Sequence, residues 1–485
     1  MAKRKAFNHK SDLSTTSLER RKFLRMISLV GMGGFLVPFR SAAAPAVKVM
    51  PKIKILKQGD KSYAQSIQLF NSRLKLKPAA VVRCKTEQDV VRAIHYANVA
   101  KLQVTVKSGG HSFEGFSSNN GGLMVDLTEL NGIDYSKQDH SVKIGPGARL
   151  GNVSSALFPK GRLLPSGSCA GVGVGGLTLG GGYGLFAREF GLTCDHLTGL
   201  RMVDGQGRVI DSDDDPELLH ACRGGGNGNF GVVTQMRFRT VPVPKLFSSQ
   251  RIKFRKLDPK TVGELAKLWF AATAKIPNDV FSAFVLNGTS LTILITFFRK
   301  QSTADVEAAF ASLRKRAWKN EAIQSAPTQR AILRYYGRPG PLPFKNASAG
   351  YYNSHEQIEK ILPAIAAQVA KVSGTVWQVN TLGGAINSPE YAKASLYPHR
   401  ASPWLGEIQG YWDNPKREER CVANVAAVQK LFADHGIKDH YRNYPDIGFA
   451  HWQTAYYGDV GVAALRKMKQ RYDRNNTIYH PQSVR

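Results

Sequence analysis

One stretch constrains this chain more than any other: Pro165 to Leu192, reading PSGSCAGVGVGGLTLGGGYGLFAREFGL. Gly171, Gly173, Gly175, Gly176, Gly180, Gly181, Gly182 and Gly184 crowd into it. That density argues against both a helix interior and a well-packed strand, because glycine loses the most backbone entropy in either. Such a run is kept where backbone must approach a ligand closely, and a single cysteine, Cys169, sits inside it.

The rest of the chain is long enough to build around that stretch. At 485 residues it exceeds one small core, and two or three lobes are expected. Its 67 basic and 36 acidic residues leave a net charge of +31, so the surface field is strongly positive. The basic residues are scattered, with no arginine-rich arm, zinc-finger spacing or ribonucleoprotein-type aromatic motif, which argues against nucleic acid as a partner. The first 46 residues read as an export signal: Arg20-Arg21-Lys22 precedes a short apolar run from Met26 to Phe39, then Ser41-Ala42-Ala43-Ala44. Paired arginines, a modest apolar stretch and a small-residue cleavage site resemble a twin-arginine signal, so a periplasmic or secreted protein is expected. Loss of residues 1–44 removes nine basic and two acidic groups and leaves +24. No second apolar run is long enough to span a membrane. The five cysteines, Cys84, Cys169, Cys194, Cys222 and Cys421, form no CxxC pair, and no metal site is expected.

In chain order, residues 47–76 read as a helical lead-in. Ala80 to Cys84 is a short buried strand; Thr86 and Asp89 then open a helix with Val90, Ile94 and Ala97 on one face. Leu102 to Val106 is a strand that delivers the chain into Ser108-Gly109-Gly110-His111-Ser112. A glycine pair at a strand end leaves outward-pointing N–H groups, which suits phosphate. Strands follow at 122–127 and 141–144, then a short helix at 153–157. Beyond the central stretch come a hairpin around Asp204-Gly205 and a second glycine cradle, RGGGNGNFG at 223–231, leading into a strand from Val232 to Thr240. The composition shifts near Val241-Pro242-Val243-Pro244, which places a domain boundary at 245/246. Residues 246–420 alternate strands such as 291–298 with helices such as 304–318 and 354–372, an α+β lobe without glycine cradles. A helix over 421–435 precedes Tyr441-Arg442-Asn443-Tyr444-Pro445-Asp446.

Gly171, Gly173 and Gly176 satisfy the dinucleotide pattern GxGxxG. That pattern needs an apolar strand before the first glycine and a helix after the third. Here Pro165 to Ala170 is polar and small, and more glycines follow, so the match reads as accidental.

His111 behind its glycine turn, Cys169 in SGSCAGVGVGG, RGGGNGNFGVVT, LYPHR, YRNYPD and the tail from Trp452 to Ser483 together resemble the berberine-bridge-enzyme-like flavoproteins of the vanillyl-alcohol-oxidase superfamily. The resemblance covers nearly the whole chain after residue 46. It implies an α+β architecture: a two-lobed PCMH-type FAD-binding domain over 47–245, a substrate domain over 246–420 with a large antiparallel sheet covered by helices, and a segment 421–485 returning to the FAD domain. It also implies FAD held by two covalent bonds, from His111 to the flavin 8α-methyl and from Cys169 to C6. Cofactor contacts carry over to Ser108, Gly109, Gly110 and Ser112, to Val172, Gly173, Gly175, Gly176, Gly180 and Gly181, to Gly226, Gly228 and Val232, and to Asn443.

The implied chemistry is hydride transfer from a substrate alcohol to flavin N5 while a protein base takes the hydroxyl proton. Tyr441 and Tyr444 are the candidate bases. If the segment is extended, Tyr441 and Asn443 share a face opposite Tyr444, which favours Tyr441 as base and Asn443 as a flavin contact. A tyrosine with a reference pKa of about 10 needs help to act so. Gln378 and Asn380 occupy the partner position, and neither is a carboxylate. Tyr183 matches a position lining the substrate cavity. Val172 falls where family members admit or block oxygen, and its small size implies an oxidase that passes electrons to O2 and releases H2O2. The expected substrate is a carbohydrate or another secondary alcohol. The alternatives are a dehydrogenase or oxidative cyclase of a secondary metabolite and, outside enzymes, a basic protein that binds a phosphoryl ligand.

Overall fold

The computed structural model describes residues 53–332, 335 and 340–485; the export-type segment lies outside the described residues. The first sheet has the order β1-β2-β4-β3, from β1 (Ile55–Leu56), β2 (Ala80–Arg83), β3 (Val104–Lys107) and β4 (Leu123–Asp126). β2 and β3 both run parallel to β4, the connection β2 to β3 being the helix Glu87–Ala100. That helix starts as its sequence dictates: the Thr86 hydroxyl accepts from the Asp89 N–H at 3.2 Å and the Asp89 carboxylate accepts from the Thr86 N–H at 2.9 Å. Val90, Ile94 and Ala97 are buried against the sheet. The expected helical lead-in is a correction. Residues 53–76 hold only β1 and the single turn Tyr63–Ser66, because the segment has no continuous apolar stripe and turns at Gly59, φ +100°.

The second sheet is antiparallel, in the order β5-β6-β10-β8-β9: β5 (Ile133–Tyr135), β6 (Ser141–Ile144), β8 (Leu197–Asp204), β9 (Val209–Asp211) and β10 (Gly231–Arg239). A small ribbon pairs β7 (Arg162–Leu163) with β11 (Val241–Pro242). The central glycine stretch is not all loop. Val174–Leu179 is helical through Gly175 and Gly176, against the expectation from glycine density. A Cβ on Gly175 would come within 2.9 Å of the Pro146 carbonyl oxygen, so the residue type is set by close packing of this short helix. No strand directly precedes Gly171, the nearest being β7 eight residues earlier, which agrees with reading its GxGxxG match as accidental.

The third sheet is large and antiparallel, in the order β15-β12-β14-β13-β18-β19-β17 with β16 also pairing β12. Its strands are β12 (Leu246–Phe254), β13 (Phe281–Asn287), β14 (Ser290–Phe297), β15 (Lys319–Asn320), β16 (Gln324–Pro327), β17 (Phe344–Tyr352), β18 (Thr375–Thr381) and β19 (Trp404–Tyr411). Side chains alternate across it. Phe284, Trp377, Val379 and Ile408 face a core shared with the helices Pro259–Thr273, Leu362–Lys371 and Glu418–Asp434. Intervening residues such as Ala283, Gln378, Asn380 and Glu407 face the opposite way, toward a cavity. Two expected helices each break in two, at Phe310 and ahead of Leu362. In the second, Pro363 has no N–H to return to the preceding turn.

Candidate functional site

Two loops distant in sequence meet backbone to backbone. β3 carries the chain into Ser108-Gly109-Gly110-His111, and the Ser108 hydroxyl donates to the Pro146 carbonyl at 2.6 Å. A Cβ on Gly109 would lie 2.3 Å from the Gly173 nitrogen, and one on Gly173 would lie 2.0 Å from Ser108 Oγ. Only glycine at both positions permits the approach. It brings His111 and Cys169, on neighbouring segments of the two loops, onto the wall of one cavity of about 870 Å³. The His111 ring stacks on Phe70 with centroids 4.0 Å apart. Burial, then the Arg149 charge, pushes the imidazole down to about 4, so His111 is neutral at physiological pH.

Ser108, Gly109, Gly110, Ser112, Val172, Gly173, Gly175, Gly176, Gly228 and Asn443 also line this cavity. Gly180, Gly181, Gly226 and Val232 are not part of this lining. Gly180 makes room for Asn443, whose Oδ1 would be 2.1 Å from an added Cβ, and Gly181 faces Tyr397 and Tyr441. Gly226 packs on Cys222 and Leu179, and Val232 is buried in the core of the first sheet. Asn443 is held by donation from Nδ2 to the Leu177 carbonyl (3.0 Å) and to the Tyr441 hydroxyl (3.1 Å).

The far wall is built by the large sheet and the tyrosine segment. That segment is a turn, closed by the Tyr444 N–H donating to the Tyr441 carbonyl at 2.9 Å, so the face assignment made for an extended strand does not hold. The Tyr441 hydroxyl accepts from the Gly182 N–H at 2.9 Å as well as from Asn443; burial pushes it up to about 12. The Tyr444 hydroxyl instead hydrogen-bonds the Tyr183 hydroxyl, which also accepts from Asn380 Nδ2 at 3.1 Å. Gln378 Nε2 donates to Asn380 Oδ1 at 2.8 Å. Tyr183, Tyr444, Gln378 and Asn380, all expected from the sequence, thus form one hydrogen-bonded wall, and Tyr441 stands at its inner edge, bonded to Gly182 and Asn443.

It missed others. Glu407 on β19 lies opposite Gln378 on β18, is 5% exposed, and hydrogen-bonds Gln409, Tyr444 and Asn346. Burial pushes its carboxyl up to about 7, and among the described residues no cation offsets that. Phe113 stacks on Tyr444 at 5.3 Å, and Phe70 on His111. Nothing local marks these side chains: they become site residues through strand pairing and loop packing.

The cavity suits a bound dinucleotide. Its volume is in the upper part of the roughly 300–1,000 Å³ range of ligand sites, its loop wall is backbone bared by glycine, and Ser117 Oγ, Asn227 Oδ1 and Asn346 Oδ1 are buried there without a protein partner. Among the described residues no helix is long and apolar enough to cross a membrane, and no group of side chains is arranged to hold a metal. No disulfide links the five cysteines, and Cys84, Cys194, Cys222 and Cys421 are buried in separate packing clusters.

Residues 78–213 match the FAD binding domain family, and residues 440–485 match the berberine and berberine-like family. The chain is 32% identical to xylooligosaccharide oxidase of Thermothelomyces thermophilus, over 89% of this chain and 92% of that one. It is 27% identical to chitooligosaccharide oxidase of Gibberella zeae, over 93% and 96%. The structure of Physcomitrella patens BBE-like 1 has the same fold: TM-score 0.82 at 23% identity, covering 89% of this chain and 97% of that one. The meeting of the two glycine loops at one cavity, under a large antiparallel sheet, is therefore the architecture of a known group, and the chain belongs to the berberine-bridge-enzyme-like FAD-linked oxidoreductases of the PCMH-type superfamily.

Proposed function

We propose that the protein is an exported oxidase that holds FAD through His111 and Cys169, oxidises an alcohol of a carbohydrate or another secondary alcohol, and passes the electrons to O2 to give H2O2. The observation that carries this reading is the Gly109–Gly173 approach, which sets His111 and Cys169 on one cavity wall facing Tyr444, Tyr183 and the amides of β18. FAD, when bound, supplies a two-electron acceptor. The neutral His111 imidazole keeps a lone pair for attachment, and the stacked Phe70 holds its orientation. Tyr444 is the preferred group to receive the hydroxyl proton: its hydroxyl lies with the cavity-facing Tyr183 and Glu407, whereas the Tyr441 hydroxyl accepts from the Gly182 N–H and from Asn443. Gln378 and Asn380 orient the substrate's hydroxyls, as amide walls do for sugars. Val172 leaves the cavity wall small beside Cys169, which favours access of O2. The oligosaccharide oxidases among its relatives support a carbohydrate substrate.

The FAD domain is drawn over 47–245 and the substrate domain over 246–420, with 421–485 returning; the helix Glu418–Asp434 packs on the large sheet and belongs with the substrate domain. A second reading, oxidation of a polycyclic secondary metabolite, draws support from the apolar part of the wall, where Phe281, Ala283, Val285 and Leu294 line the cavity. The test is acid precipitation followed by digestion and a peroxide-release screen over oligosaccharides and phenolic alcohols. Two flavin-bearing peptides, one holding His111 and one Cys169, with peroxide from a saccharide, are expected. A colourless precipitate refutes covalent attachment, and peroxide from the phenolics alone favours the second reading.

A further inference from the structure

We propose that the outer edge of the large sheet is a second saccharide site, outside the cavity, that holds an acidic polysaccharide with carboxylates on its sugars; the choice of a saccharide rests on the carbohydrate reading, the choice of an anion does not. The sequence holds two short basic runs, RIKFRK over 251–256 and RKRAWK over 314–319, with four cations in each. They lie far apart in the chain, and the antiparallel pairing of β12 with β15 sets Lys253 directly opposite Lys319. Like charges opposed across two strands are destabilising, and an anion between them relieves the repulsion. The protein supplies one such anion, Glu321, shared between Lys253 at 2.5 Å and Arg251 at 3.6 Å. Arg316 pairs with Glu264, and Arg314 donates to Gln250. Arg255, Lys256, Lys315 and Lys319 form no ion pair among the described residues.

An edge strand needs charge to discourage pairing with another sheet, and Lys253 and Lys319 serve that end. Trp318 works against it. Its side chain is 53% exposed among the cations, and the Arg255 guanidinium lies 4.1 Å from its ring centroid. A large exposed aromatic weakens the protection that the lysines give. A flat ring held by a guanidinium and bordered by free cations instead suits a pyranose ring that carries a carboxylate. The rim is also continuous with the cavity wall. Register pairs Gln378 with Val285, Val285 with Thr292, Thr292 with Lys253 and Lys253 with Lys319, so the five form one row on one face of the sheet. Gln378 lines the cavity, and Lys253 stands three strands away, about 14 Å at the usual strand spacing. Val285 and Thr292 between them are half-buried. An anionic chain on the rim thus lies on the face of the sheet that carries the cavity. Single-stranded nucleic acid fits less well, because its binders present several aromatic side chains to successive bases and these two runs expose one.

The experiment measures binding of polygalacturonate oligomers, a neutral glucan and single-stranded DNA to the flavin-bearing protein by titration calorimetry. It is run at about 0.1 M and about 1 M salt, where the screening length falls from about 10 Å to about 3 Å. Lys253→Gln with Lys319→Gln is compared with Lys137→Gln with Lys438→Gln, which removes the same charge from exposed positions outside the rim. The rim pair should weaken polygalacturonate binding roughly 3–30-fold at the lower salt, and the control pair should leave it nearly unchanged. Trp318→Ala should weaken it about 5-fold or more at both salts. Turnover of a small alcohol should be the same in every variant, which shows the fold and the flavin to be intact. Equal losses from the two pairs would mean that net charge alone attracts the polymer and would overturn the proposal, as would equal affinity for the neutral glucan or tighter binding of DNA. Binding that meets these expectations while no saccharide yields peroxide refutes the carbohydrate reading of the cavity and leaves the rim site supported.

Discussion

Removing the Arg400 guanidinium should cost this protein about a fifth or more of its stability while touching nothing on the cavity wall. Arg400, in the LYPHR segment, is 5% exposed, and Asp195, just past the central glycine stretch, is 6% exposed. They meet in a bidentate pair, Nη2 to Oδ1 at 2.5 Å and Nη1 to Oδ2 at 3.2 Å. Arg400 also donates to the Ile386 carbonyl at 3.0 Å and to Ser395 Oγ at 2.6 Å. Arg400→Met preserves most of the volume but strands a buried carboxylate, which costs about 3–5 kcal/mol against a typical domain stability of roughly 5–15 kcal/mol. Asp195→Asn alone should cost a similar amount by stranding the cation, although an amide oxygen can still accept from the Leu192 N–H, now bonded at 2.8 Å. The double substitution leaves no charge behind and should recover at least about 2 kcal/mol of the summed loss. Urea titration of the four flavin-bearing proteins, at matched slopes, measures this cycle. A single-variant loss below about 1 kcal/mol, or losses that simply add, would refute the view that the pair is a buried unit tying the LYPHR segment to the end of the glycine stretch.

Cys169→Ala should retain flavin through His111 with an altered visible spectrum and lower turnover, read by absorbance of the denatured protein and by peroxide release. Tyr444→Phe should lower the rate of flavin reduction by roughly 10²–10⁴-fold, whereas Tyr441→Phe should lower the urea midpoint more than the rate, since its hydroxyl bonds Gly182 and Asn443 rather than Tyr444. Glu407 also sets a pH dependence of stability. Its value in the fold, about 7, lies above the ordinary 4.5, so the fold favours the neutral acid. That contribution is complete below about pH 4.5 and is lost as pH rises through 7, a change of about 3 kcal/mol. Urea midpoints of Glu407→Gln across that window should lack this downward slope.

Much of the cofactor side was legible because its signals are local. Thr86 and Asp89 cap their helix within four residues, and His111 follows its glycines directly. The tyrosine segment was only half legible. Its residues were identifiable, but the face each presents depends on backbone conformation, and a turn closed between Tyr441 and Tyr444 replaces the extended strand on which the preference for Tyr441 rested. Gly180, Gly181 and Gly226 show a second limit. Glycine density marks close approach without saying what approaches, and at these positions it is Asn443, Tyr397 and Cys222 rather than the cavity. Glu407 could not be read at all, since a lone carboxylate in an alternating strand looks like any solvent-facing residue until pairing with β18 and β17 buries it.

What the sequence alone determined is the family and the glycine-bared cradle, because both are encoded in short runs whose backbone requirements few residue types satisfy. What only the tertiary structure decided is the chemistry of the facing wall. The Tyr444 hydroxyl joins Tyr183, and a carboxylate stands behind it, only through contacts between residues 183, 380, 407 and 444. Burial without a counter-ion, the property that brings Glu407 to neutrality, exists only once those distant segments have excluded water from it.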